Sequence, residues 1–144
     1  MPYCTIDDLH LRLPASFVVS LTDDAGSEVV DVDTVQRAIA DADSMIDGYL
    51  RSRYTVPFAT TPKIIQRLSV DLTVYYLYQR KNDYEMPEPV RFRYTDALKT
   101  LEAVAAGRMH IEDVPPSEAE VPTISVSNKT AADRQFGRNV LDRW

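Results

Sequence analysis

The stretch Asp33-Thr34-Val35-Gln36-Arg37-Ala38-Ile39-Ala40-Asp41-Ala42-Asp43-Ser44-Met45-Ile46-Asp47-Gly48-Tyr49 decides the fold class. Val35, Ile39, Ala42, Ile46 and Tyr49 recur at alternating steps of four and three, the period that lines one face of an α-helix. Asp33 is a good N-cap, because a short carboxylate can accept from the free N–H groups of a first turn. Asp41, Asp43 and Asp47 fall on or beside the opposite face. Asp43 and Asp47 share a helix face, as acid–base pairs do, but acids opposite an apolar stripe read first as its solvated side.

Outward from this helix the same period repeats. Thr5-Ile6-Asp7-Asp8 has the form of a capping box, followed by Ile6, Leu9 and Leu13 at helical spacing. Pro14 ends that helix or opens a short one over 15–21, and Asp23, Asp24 and Gly26 mark a turn. Downstream, Tyr54-Thr55-Val56-Pro57 switches to extended chain. Thr61-Pro62 then starts a helix striped by Ile65, Leu68, Leu72, Tyr75 and Tyr76. After a proline-bearing loop, Val90, Tyr94, Ala97, Leu98, Leu101 and Val104 mark a last helix that Gly107 stops. The expectation is all-α: an antiparallel bundle of about four helices near 5–13, 33–53, 62–81 and 88–106, with a core including Leu9, Ile39, Ile46, Leu68, Leu72, Leu98 and Leu101.

Beyond Gly107 the character changes. Pro115, Pro116 and Pro122 exclude a helix, and Thr123-Ile124-Ser125-Val126-Ser127 alternates like a short strand. Residues 1–107 therefore read as the bundle and 108–144 as an extended C-terminal arm that carries this strand and adds little to the core. Ile124, Val126, Phe136, Leu141 and Trp144 put large apolar groups on an arm with no core of its own, which makes them candidates for burial on a partner.

Composition narrows the function classes. The 144 residues are 44% apolar and 26% charged, enough for one core and typical of a globular chain. No apolar run is long enough to span a bilayer, and Met1–Asp8 has no basic-then-apolar leader, so cytoplasmic synthesis without membrane association is expected. The single cysteine, Cys4, cannot form an intramolecular disulfide and reads as a small buried hydrophobe near the first helix. Net charge is −6, split as −6 over 1–60 (ten acids, four bases), +2 over 61–111 (six acids, eight bases) and −2 over 112–144 (six acids, four bases). An acidic total disfavours wrapping nucleic acid, whose affinity comes from many cation–phosphate contacts.

The sequence carries no catalytic constellation and implies no cofactor. His10 shares a face only with Asp7, and His110 sits beside Glu112 and Asp113 at the start of the arm, so neither assembles a metal ligand set. Tyr75, Tyr76 and Tyr78 lie in an apolar stripe without interleaved cations and read as core rather than as base-stacking platforms. Gly-rich phosphate loops, Gly-x-Ser-x-Gly, His-Glu-x-x-His and Cys-x-x-Cys are missing from the sequence. The one basic concentration is Arg91, Arg93 and Lys99 with Arg80 and Lys81. Arg91 and Arg93 are the candidate contact residues there, against the plainer reading of a solvated flank.

An ordered set of short motifs resembles the neck, or head–tail connector, proteins of Mu-like phages and prophages. It runs through Thr5-Ile6-Asp7-Asp8-Leu9, Leu21-Thr22-Asp23, Ala38-Ile39-Ala40-Asp41-Ala42, Ile46-Asp47-Gly48-Tyr49-Leu50 and Arg53-Tyr54 with Pro57. It continues with Val90-Arg91-Phe92-Arg93-Tyr94, Asp96-Ala97-Leu98, a helix end at Gly107, and Arg134-Gln135-Phe136 before a terminal aromatic. The resemblance covers nearly the whole chain. It implies a non-enzymatic virion subunit forming a homo-oligomeric ring between portal and tail. The portal protein and tail or head-closure proteins would be its partners, and DNA would pass through the channel without specific binding. Localisation would be the host cytoplasm during assembly, then the virion neck. Three rivals stay open: a DNA-binding or regulatory helical module of a phage or prophage using the Arg80–Lys99 region, a small metal or enzyme domain built on His10, and a helical partner-binding protein outside phages.

Overall fold

The computed structural model describes residues 1–112 and 114–117, which contain five α-helices and no strand. They are α1 (Ile6–His10), α2 (Ala15–Thr22), α3 (Val32–Leu50), α4 (Lys63–Arg80) and α5 (Glu88–Ala105). The expected strand at 123–127 lies outside the described residues.

Local chemistry sets the helix boundaries. The Thr5 hydroxyl accepts from the Asp8 N–H at 3.3 Å while the Asp8 carboxylate accepts from the Thr5 N–H at 2.8 Å, completing the capping box. The helix starting there is shorter than the expected 5–13, and Pro14 opens α2, the short helix expected over 15–21. The cap of α3 is Asp31 rather than Asp33: its carboxylate accepts from the N–H groups of Asp33 and Thr34 and from the Thr34 hydroxyl. At the end of α5, Gly107 takes φ +75°, and the N–H groups of Arg108 and Met109 fold back onto the Ala103 carbonyl. The positive φ is what requires glycine there; a Cβ would also meet the end of the Arg53 side chain at 2.5 Å, which would have to move aside.

Packing follows the apolar stripes. The first half of α3 (Val35, Ala38, Ile39) meets the second half of α4 (Val70, Val74, Leu77), and the second half of α3 (Ala42, Ile46, Leu50) meets the first half of α4 (Ile65, Leu68). Val90 joins the α4 C-terminal half, whereas Leu101 and Val104 join its N-terminal half, so α3, α4 and α5 run up, down and up. The two short helices add Leu9, Val18 and Leu21 to one end of this bundle. Of the expected core, Leu98 alone is only half-buried. Tyr75, Tyr76 and Tyr94 pack on one another at the α4–α5 seam, with the Tyr75 and Tyr94 rings stacked 3.7 Å apart.

The packed unit runs past Gly107, the boundary expected from the sequence. Ile111 is 3% exposed in the main core cluster, and its N–H donates to the Tyr54 hydroxyl at 3.2 Å. Val114 packs against the same cluster, and the Ser117 N–H donates to the Arg53 carbonyl at 2.7 Å. Residues 108–112 and 114–117 thus cover the α3 C-terminal end. Prolines exclude a helix here but do not prevent an extended segment from lying on a core.

Candidate functional site

Two surfaces of different character stand out. The first is built on the N-terminal segment, which lies across α3 and α4. The Tyr3 N–H donates to Asp43 Oδ2 at 2.9 Å, and its hydroxyl donates to Asp47 Oδ1 at 2.5 Å while accepting from the Phe58 N–H at 3.3 Å. The Ser69 hydroxyl lies 2.8 Å from Asp43 Oδ1 and 3.2 Å from Cys4 Sγ. Burial pushes the Asp43 carboxyl above its ordinary range, and the hydrogen bonds from Tyr3 and Ser69 oppose that rise. Burial likewise raises the Cys4 thiol and the Tyr3 phenol, the latter further through its bond to Asp47. Asp43 and Asp47, expected on the solvated side, are therefore half-buried latch points for Tyr3.

Beside this latch a groove of about 1020 Å³ opens between the N-terminal segment and α3. Ile6, Ile39 and Ala40 give it an apolar floor, and Asp7, Asp43 and Asp47 bring carboxylates to its walls. Neither lysine nor arginine lines it. The α-amino group of Met1 acts on Asp43 there.

The second surface is the outer face of α5. Phe92 is 71% exposed, more than any other aromatic residue among the described ones. It stands with Arg91, Thr95 and Lys99 around a shallow depression that Glu88 and Asp96 complete. Asp96 is engaged by Arg67 at 3.8 Å, which leaves Arg91 and Lys99 opposite Glu88 alone.

The expected basic concentration is divided among three places. Arg80 hydrogen-bonds the Leu21 carbonyl at 3.0 Å and pairs with Asp24, and Lys81 reaches Asp24 at 3.1 Å, so both close the C-terminal end of α2. Arg93 is half-buried and acts electrostatically on Asp71, a 6% exposed carboxylate that Arg12 and Arg67 approach at 3.8 and 3.9 Å. Burial raises the Asp71 carboxyl, and the three arginines counter it. Only Arg91 and Lys99 remain on the outer face, because positions two apart on a helix point to different sides. Ile124, Val126, Phe136, Leu141 and Trp144 lie outside the described residues. Among the described residues no group of three or more His, Cys, Asp or Glu converges to hold a metal. No helix among them is long and apolar enough to cross a membrane.

Sequence reasoning placed Phe92 inside a motif without marking it as a contact. Its helical position, off the Val90–Ala97–Leu101–Val104 stripe, was the available signal.

Comparison with known proteins gives these surfaces a context. The sequence profile of the family described as Bacteriophage Mu, Gp36 matches residues 3–127. "Gene product J" of Escherichia phage Mu is 30% identical over 109 residues, covering 75% of this chain and 74% of that protein. "Mu-like prophage FluMu protein gp36" of Haemophilus influenzae is 27% identical over 113 residues, covering 78% and 77% respectively.

Proposed function

The chain belongs to the Bacteriophage Mu, Gp36 family, and we propose that within a Mu-like phage or prophage it is the head–tail connector subunit, a structural virion protein. In this reading copies form a ring between portal and tail, contact portal and tail or head-closure proteins, and surround the DNA channel. The observation that carries it is the outer face of α5, where an exposed Phe92 and two cations sit on a helix fully packed from behind. An aromatic flanked by cations on a rigid element is the kind of side chain that anchors a partner once it is desolvated. The net charge of −6 suits a channel past which DNA slides without adhering.

The rival DNA-binding reading draws less support from the same face. With Asp96 held by Arg67, the face offers phosphate only Arg91 and Lys99 beside the carboxylate of Glu88, far fewer cations than a nucleic-acid surface draws on. The test is deletion of the gene from its phage or prophage, followed by electron microscopy of the lysate. Separate heads and tails, joined again on complementation, are expected. Complete particles made without the chain would overturn the reading. Salt-sensitive submicromolar DNA binding by the purified chain would favour the rival.

A further inference from the structure

We propose that Phe92 of one copy inserts into the acidic groove between the N-terminal segment and α3 of the next copy, making a head-to-tail contact between subunits. The proposal rests on the connector reading and names the surface through which its ring would close. The two surfaces are opposite in charge, and each has an apolar centre. One presents an aromatic side chain, 71% exposed, flanked by Arg91 and Lys99. The other presents an apolar floor of Ile6, Ile39 and Ala40 beneath the carboxylates of Asp7, Asp43 and Asp47.

Their placement also fits. The groove is bounded by the chain's N-terminal segment and α3, whereas Phe92 stands on the outer face of α5. A single copy therefore cannot fill its own groove with its own Phe92. Because the two halves are different surfaces, the contact is heterologous, and repeating it builds a ring or an open helix rather than a two-fold dimer. Phe92 sits on α5, and Ile39, Ala40, Asp43 and Asp47 sit on α3, both helices packed into the core, so these groups need not order on contact, which lowers the entropic cost of association. A self-pairing of Phe92 with Phe92 would instead bring Arg91 and Lys99 against the same cations of the other copy.

Site-specific cross-linking of the full chain tests this. Phe92→Cys and Ala40→Cys are introduced singly and together, and each protein is treated briefly with a short bismaleimide. The wild-type chain reports any background from Cys4, which is 1% exposed. The reaction is run on purified protein at high concentration and on particles from the encoding phage or prophage. A ladder of covalent multimers from the double variant, a dimer from the mixed single variants, and none from either single variant alone is the expected result. Phe92→Ala is expected to weaken self-association at least tenfold and added salt to weaken it further, with melting unchanged. Phe92→Cys dimers by themselves, or no ladder in either purified protein or particles, overturn the proposal. The two readings fail separately. A chain found in the neck without the ladder keeps the connector and removes this interface. A ladder in purified protein with no chain in the particles does the reverse.

Discussion

Tyr3 and Phe92 are both aromatic and both neighbours of charge, yet they end at opposite extremes, 3% and 71% exposed. Tyr3 is surrounded by groups that use its polar atoms: its hydroxyl meets the Asp47 carboxylate from α3 and the Phe58 N–H from the segment before α4, and its backbone N–H meets Asp43. Phe92 has no polar end, and its helix already buries the opposite face, so nothing among the described residues draws it in. The difference separates residues that hold the subunit together from a residue left for something else. Charge beside a ring says nothing by itself; what matters is whether another part of the same chain arrives to use it.

The comparison extends to the C-terminal lead-in, where Ile111 belongs with Tyr3. Ending the chain after Gly107 removes a side chain that is 3% exposed, together with the donor to the Tyr54 hydroxyl. Loss of that isoleucine is expected to cost about 1.5–3 kcal/mol, with exposure of Tyr54 adding to it. Ending after Ser117 is expected to leave melting nearly unchanged. Equal melting temperatures for the two truncations would show that 108–117 does not belong to the packed unit.

Tyr3→Phe keeps the ring and removes only the hydroxyl, leaving the Phe58 N–H and one Asp47 oxygen without their partner. The expected loss is about 1–3 kcal/mol in denaturant unfolding, the penalty for stranding a buried polar group. A neutral result would mean that water replaces the hydroxyl and that the latch holds by packing alone.

Asp43→Asn sharpens the same region through pH. Burial raises the folded-state carboxyl above its ordinary value of 3.8, so between that value and the folded-state one the native chain binds more protons than the unfolded chain. Stability from this group therefore rises as pH falls through that window and is lower above it. Relative to Asp43→Asn, the wild type is expected to gain stability on mild acidification. Parallel pH profiles would show that Asp43 is not perturbed by burial.

The smallest effect is expected where the exposure is largest. Phe92→Ala should change the stability of the separate subunit by no more than about 0.5 kcal/mol, the range of ordinary surface positions. A cost comparable to that of Tyr3→Phe would place Phe92 among the residues that hold the fold and erase the contrast.

How far the sequence discloses this division depends on the range of the interaction. The α3 stripe, the Thr5–Asp8 capping box and the Gly107 stop are all readable, since each depends on neighbours within a turn or two. The role of Asp43 and Asp47 is not, because Tyr3 reaches them from 40 and 44 residues away. Periodicity assigned them to the wet face, and the incoming N-terminal segment then covered that face. The lead-in misleads for a related reason: prolines at 115 and 116 mark the end of helix, not the end of packing. Arg91 and Arg93 look like one patch in sequence, but Asp71 claims Arg93 from a different helix. Phe92 was legible in principle, and its neighbours in the motif diverted the reading to the charges.

The burial of Cys4 has a practical consequence. It is the sole thiol of the chain, it is 1% exposed, and it sits beneath the latch within reach of Ser69 and Thr73. Modification by a thiol reagent must therefore wait for the N-terminal segment to lift. When closing is fast relative to labelling, the rate under native conditions measures the free energy of that local opening, separately from global unfolding. The native chain thus carries its own clock for detachment of the segment that walls the groove, and slowing of that clock on assembly would report a neighbour seated there.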